Sequence, residues 1–249
     1  LDIDKYIFMG VGKSNEISLE RIRRLSANGI KKAKESKATN VLIDFQFFFN
    51  IQEVPAELKD MGELDGDYVS KLIIDAGIHG ILLSMYKFDR FKRDEKEDKL
   101  KTINIIGIPS KFESQITKAI KVAEFVNIVR DWGNIPANIG TPTYFAEETR
   151  QLAERASSKV YLEVFDKNQI EEMGWSTFLS VSKGTEPPNE PKLIVLKNFE
   201  KEPDQNKLTV AIVGKGITFD TGGYSIKDSD GLFEMKSDML GAAASICTF

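Results

Sequence analysis

Among its 249 residues the chain has one cysteine, Cys247, and one histidine, His79. A lone cysteine excludes an internal disulfide framework and fits a reducing, cytoplasmic setting. A lone histidine excludes a His-rich zinc cluster and leaves a Ser-His-Asp triad no spare candidate. Any metal bound here must therefore rest mainly on carboxylates. No apolar run approaches the roughly 20 residues of a membrane span, so no membrane partner is indicated. The start, LDIDKYIFMG, lacks the basic residues and apolar stretch of a secretory signal. It begins at Leu1 rather than Met, and the expectation is a start further upstream or a processed one. Positive charge is not in excess. Thirty-four Lys and Arg face 38 Asp and Glu, for a net charge of -4, and nothing basic and clustered points to nucleic acid. There is no internal repeat and no low-complexity tract.

What remains is an ordinary globular composition, 41% apolar and 29% charged, long enough for one large domain or two modest ones. YIFMGVG at 6–12 reads as a short strand. Ser18 to Ser36 reads as a helix with Ser18 as its N-cap and Leu19, Ile22, Leu25 and Ile30 along one side. Asn40 to Phe49 is rich in branched and aromatic residues and reads as a buried strand whose phenylalanines form core. Asp67 to Lys87 reads as helix, weakened by Gly77 and Gly80. Phe91 to Leu100 is a charge run and reads as solvated loop, and Lys101 to Ile108 as another buried strand. A long amphipathic segment follows from Ser110 to Trp132, stopped by GNIPANIGTP. Beyond it, Thr143 to Ser157 and Gln169 to Met173 read as helices. Val160 to Phe165, Thr177 to Val181, Lys192 to Phe199 and Leu208 to Val213 read as strands. The last two are near-continuous apolar runs, as in strands buried on both faces. The expected fold class is α/β in two parts: a small N-terminal α/β domain over 1–110, an interdomain helix over 111–133, and a larger domain over 134–249.

Two glycine-lysine loops compete for a ligand. A phosphate loop needs G-x-x-x-x-G-K-[ST]. GVGKS at 10–14 has Ile7 where the first glycine belongs, and GKG at 214–216 lacks both the upstream glycine and the hydroxyl residue. Neither fits the pattern of a nucleotide loop. The stretch VGKGITFDTGGYSIK at 213–227 follows an apolar run, where open α/β sheets place ligands. It brings Lys215, Asp220 and Lys227, and Asp238 follows in EMKSDMLGAAAS, whose small residues could pack a helix tightly. Gly222 and Gly223 allow a sharp bend beside Asp220. A carboxylate in such a turn wants a cation, which either a lysine or a metal supplies. Oxygen ligands with an amine suit Mn²⁺, Mg²⁺ or Zn²⁺, but a lysine ligates only when burial and a nearby metal charge depress its pKa. Salt bridges closing a glycine turn remain the alternative.

GKGITFDTGGYSIK followed by EMKSDMLGAA closely resembles the M17 family of leucyl aminopeptidases, with matching spacing throughout. NIPANIGTPTYFAEE at 134–148 and SVSKGTEPPNEPKLIVL at 180–196 look like further family segments. YKFDRFK at 86–92 is similar to a motif late in the family's N-terminal domain. The likeness is dense after about residue 110 and thin before it. It implies that the larger domain is the first part of an α/β di-metal aminopeptidase catalytic domain. Lys215 and Asp238 would ligate one metal, and Asp220 would bridge two. Lys227 would stay cationic and act on the substrate carbonyl, making it the catalytic residue. Met235, together with Asp220 and Lys227, would contact the substrate.

The resemblance further implies two divalent ions (Zn²⁺ or Mn²⁺, with Mg²⁺ or Co²⁺ as alternatives), a bicarbonate ion, peptide substrates with apolar N-terminal residues, a homohexamer and a cytoplasmic location. The family's NTDAEGR motif, with its further Asp, Glu and bicarbonate-holding Arg, does not occur in the sequence. The expectation is that the chain stops short of it. An inactive homologue or fragment serving as a structural or interaction subunit is the competing reading, and a nucleotide-binding protein is the weakest.

Overall fold

The computed structural model describes residues 5–13, 16–50, 55–61, 64–93, 98–156, 159–199 and 208–249. The chain divides into two compact units, Leu1–Asn127 and Ile128–Phe249.

In the first unit, helix α1 (Leu19–Glu35) starts where Ser18 accepts a hydrogen bond from the Arg21 amide. Its apolar stripe buries Ile22 and Ile30. Strand β1 (Asn40–Asp44) pairs in parallel with β2 (Thr102–Ile106), Asn40 opposite Thr102 through Asp44 opposite Ile106. Between them lie the short helix α2 (Gln46–Asn50), a 3₁₀ turn at Ala56–Met61 and the long helix α3 (Gly66–Ser84). Helices α1 and α3 pack together, and the two glycines that weaken α3 as a helix allow close approach, Gly80 to α1 and Gly77 to Phe45. A Cβ on Gly80 would lie 2.2 Å from the Arg23 carbonyl oxygen, and one on Gly77 would lie 2.1 Å from the Phe45 ring. Phe45, fully buried, joins Ile30, Ile81 and Leu100 under Val41, Ile43, Ile103 and Ile105 of the sheet. His79 on α3 is half-buried, and burial pushes its imidazole below the usual range although the Asp75 carboxylate pulls it back up. Of the charged run, residues 94–97 lie outside the described residues. Its end is tied down, because Asp98 pairs with Lys34 at 2.6 Å and Lys87 at 3.4 Å.

Helix α4 (Glu113–Asn134) follows a 3₁₀ turn at Ser110–Phe112. In the second unit, α5 (Pro142–Arg155) begins with Thr141 accepting from the Tyr144 amide and Pro142 in the first turn. Strand β3 (Tyr161–Phe165) pairs antiparallel with β4 (Leu193–Lys197). Helix α6 (Lys167–Glu172) carries a reciprocal capping box, Asp166 to the Gln169 amide and Gln169 back to the Asp166 amide. Helix α7 (Ser176–Ser180), α8 (Ser229–Glu234) and α9 (Leu240–Thr248) complete the unit. Trp132, Phe145, Met239 and Ala243 form its core. Cys247 on α9 is half-buried, which pushes its thiol up to about 11.

Five sequence expectations fail. Residues 6–12 form no strand, and Tyr6 and Phe8 are exposed. Backbone polar groups in a strand need a neighbour, and β1 has only β2 among the described residues. The strand expected over Asn40 to Phe49 stops at Asp44, whose carboxylate accepts from the Gln46 amide at 2.8 Å and turns the chain into α2. Phe47 consequently faces solvent. Nor are β1 and β2 fully buried strands, since Leu42 and Ile106 are exposed. Thr177 to Val181 is helical rather than extended, closed by the Leu179 amide bonding to the Trp175 carbonyl. Leu208 to Val213 carries no strand either. Leu208 is 91% exposed and Val213 90%, with no partner strand among the described residues. The glycine loop therefore follows an unpaired segment rather than a central strand.

Candidate functional site

Residues 213–242 gather four charged side chains into two ion pairs. Lys215 Nζ lies 2.7 Å from Asp238 Oδ1 and 2.6 Å from Oδ2, so the ammonium is chelated by both carboxylate oxygens. Lys227 Nζ lies 2.5 Å from Asp220 Oδ2 and 3.2 Å from the Asp220 carbonyl oxygen.

The turn between Asp220 and Lys227 is built by the backbone. Asp220 Oδ1 accepts from the Gly222 amide at 2.9 Å, and the Lys227 amide returns to the Thr221 carbonyl at 3.0 Å. Gly222 sits at φ 89°, a left-handed conformation that L side chains resist, and a Cβ there would lie 2.3 Å from the Ser225 carbonyl oxygen. Both oxygens of Asp220 are thus occupied. The Lys227 ammonium first, then the Gly222 amide, hold its carboxyl below the usual carboxylate range, and the charge of Lys215 contributes too.

After Lys227, Asp228 caps α8 by accepting from the Gly231 amide. Helix α8 runs into a 3₁₀ turn at Met235–Ser237, where the Asp238 amide bonds back to the Met235 carbonyl. Met235 is half-buried, and the turn it opens delivers Asp238. Asp238 is the most sheltered of the charged groups, its side chain 18% exposed against 59% for Lys215. Buried Met239 anchors the next position in the core.

The structure arranges the five residues singled out in the sequence as two lysine–carboxylate pairs, Lys215 with Asp238 and Lys227 with Asp220, and Met235 in the turn that leads to Asp238. Among the described residues no three His, Cys, Asp or Glu side chains cluster as a metal group. The available donors are two carboxylates and, when deprotonated, an amine. Sequence reasoning missed how Lys215 is anchored. Its carbonyl oxygen accepts from the Ala242 amide of α9 at 2.8 Å. The run GAAAS was the signal for this close approach.

Comparison with known proteins gives the family. Residues 127–249 match the cytosol aminopeptidase family, catalytic domain, and residues 1–63 match the cytosol aminopeptidase family, N-terminal domain. The chain is similar to a probable cytosol aminopeptidase of Clostridium perfringens, 34% identical over 98% of this chain and 46% of the relative. Among solved structures, it resembles the bottromycin maturation enzyme BotP in complex with Mn, with a TM-score of 0.72 and 25% identity over 96% of this chain and 45% of that one. It also resembles a tomato leucine aminopeptidase mutant, with a TM-score of 0.68 and 29% identity over 91% of this chain and 40% of that one. The chain spans just under half the length of the curated relatives it matches. With both family domains matched in order along its length, the chain belongs to the cytosol aminopeptidase (M17) family, as an N-terminal α/β domain followed by part of the catalytic domain.

Proposed function

We propose that the protein to which this chain belongs is a metal-dependent aminopeptidase that releases N-terminal, preferably apolar residues from peptides. The observation that carries the reading is the pairing of Lys215 with Asp238 and of Lys227 with Asp220 within the motif that resembles the family's. The donor set fits a divalent cation chemically, two carboxylates and an amine being acceptable to Mn²⁺ or Zn²⁺, with Mg²⁺ or Co²⁺ as alternatives. The likeness to BotP, solved in complex with Mn, supports such an ion here.

Lys215, Asp220 and Asp238 would hold the metals, Asp220 between the two. When bound, a pair of divalent ions supplies Lewis-acid activation of water and neutralises developing negative charge. Lys215 would ligate through its amine, the ammonium proton passing to solvent when the metal binds. Lys227 stays an ammonium. Held by the side chain and carbonyl of Asp220, it donates to the substrate carbonyl oxygen as charge gathers there. Met235 lines the subsite for the substrate's first side chain. Bicarbonate, a homohexameric assembly and a cytoplasmic location complete the reading by family likeness. Among the described residues no helix is long and apolar enough to cross a membrane.

Among the described residues no three acidic or other donor side chains cluster, and the second reading is an inactive structural subunit. One experiment separates them: hydrolysis of a leucine p-nitroanilide by the full-length protein with Mn²⁺, for the parent and for Lys227→Ala. The peptidase reading expects turnover that falls about 10²–10³-fold in the variant with Mn²⁺ still bound. Mn²⁺-independent absence of turnover in the parent would establish the structural reading, and full activity of the variant would remove Lys227 from its role.

A further inference from the structure

The Lys215–Asp238 pair is two-pronged, yet Lys215 is largely exposed, and an exposed ion pair is too weak to dictate backbone position. Something else holds the amine opposite the carboxylate. The backbone around Lys215 lies directly against the start of α9. A Cβ on Gly214 would lie 2.2 Å from the Gly241 carbonyl oxygen and 2.5 Å from Ser245 Oγ, closer than real Cβ contacts come. From the other side, a Cβ on Gly241 would lie 3.0 Å from the Lys215 amide nitrogen and 3.2 Å from its carbonyl oxygen. Within this seam the Ala242 amide donates to the Lys215 carbonyl at 2.8 Å. Ala242 is in the first turn of α9, where amides have no partner inside the helix, so Lys215 satisfies a donor the helix itself cannot. Asp238 stands two residues before the same helix. One helix start therefore sets both members of the pair.

The geometry points to Gly214 and Gly241 as positioning residues that seat the Lys215 amine against Asp238 through a side-chain-free backbone seam. The inference rests on the proposed metal-dependent reading and adds to it which residues fix the lysine donor. Adding a methyl at Gly214 must push residue 214 and α9 apart, breaking the Ala242–Lys215 hydrogen bond and displacing the amine. Gly241→Ala squeezes the seam less and should do the same more weakly.

The test uses the full-length protein with Gly214→Ala, Gly241→Ala and, as control, Gly133→Ala. The control methyl meets the Leu240 side chain of the same helix at 2.7 Å but leaves the seam alone. Two quantities are read: Mn²⁺ affinity by calorimetry, and the acetylation rate of Lys215 in metal-free protein mapped by mass spectrometry. Expected are an affinity loss of about tenfold or more for Gly214→Ala, as for other groups that orient a ligand, and several-fold faster acetylation of Lys215. Gly241→Ala should fall between it and the parent, and remains the readable variant if Gly214→Ala does not fold. Gly133→Ala should match the parent in both. Parent-like acetylation in the two seam variants overturns the inference, as does unchanged Mn²⁺ affinity in them. If the parent itself binds no Mn²⁺, the peptidase reading falls, while faster acetylation in the seam variants still upholds the seam.

Discussion

Lys215 and Asp238, 23 positions apart, meet with the lysine amine within 2.7 Å of both carboxylate oxygens, although neither residue lies in a regular element. The proposed role asks the lysine to lose its proton, which arginine cannot do. Lys215→Arg should keep the ion pair and change folding free energy by no more than about 0.5 kcal/mol, as surface substitutions do. Mn²⁺ binding, followed by calorimetry, should be lost. Retained affinity would take Lys215 out of the ligand set.

Asp98 is the strongest test of electrostatics in the first unit. The Lys34 ammonium, then the Leu100 amide, with Lys87 also contributing, lower its carboxyl to about 2. Because the folded value lies below the unfolded one, the pairing stabilises fully above the ordinary carboxylate range and is lost as pH falls toward 2. An NMR titration of Asp98 should show that low midpoint, and Lys34→Met should raise it. An unmoved midpoint in the variant would assign the shift to some other group.

His79 gives the opposite-looking case with the same sign. Burial lowers its folded value below the usual 6.5, and Asp75 only partly offsets this. Its Nε2 is buried without a hydrogen-bond partner, so protonation would place a charge where nothing receives the proton. The unfolded chain therefore takes up the proton first. Stability from neutral His79 is complete above about pH 6.5 and declines as pH falls through the lower folded value. Urea titrations at pH 7.5 and 5.5 should show the decline, and His79→Gln should flatten it. An unchanged slope in the variant would show that other groups cause it.

Phe45 ties the sheet to α3, its ring filling the space that Gly77 leaves. Phe45→Ala should cost about 3–5 kcal/mol by denaturant titration, as buried aromatic truncations do. Gly77→Ala should also destabilise, because its methyl meets that ring, even though alanine favours helix. A stabilised Gly77→Ala would mean helix propensity outweighs the contact.

The helices were legible wherever a cap and an apolar stripe coincided. Ser18 before Ile22 and Ile30 specifies its helix start through a bond that spans only a few residues, whereas the helix expected from Thr143 begins at Pro142, capped by Thr141 in a stretch read only as a stop. Strand character was legible less well. YIFMGVG, Thr177 to Val181 and Leu208 to Val213 all have strand composition, and none is paired among the described residues. A strand depends on a neighbour supplied from elsewhere, and composition carries no information about that neighbour.

The same division runs through the site. Residue types and spacing alone singled out four charged groups, and the turn at Asp220–Lys227 closes through local backbone bonds around Gly222. They also determined the family, since a motif is a statement about order along the chain. Which lysine meets which carboxylate was decided only in three dimensions. Lys215 reaches Asp238 because α9 docks on the backbone at Gly214, and that docking depends on a carbonyl and an amide that every residue has and no sequence pattern displays.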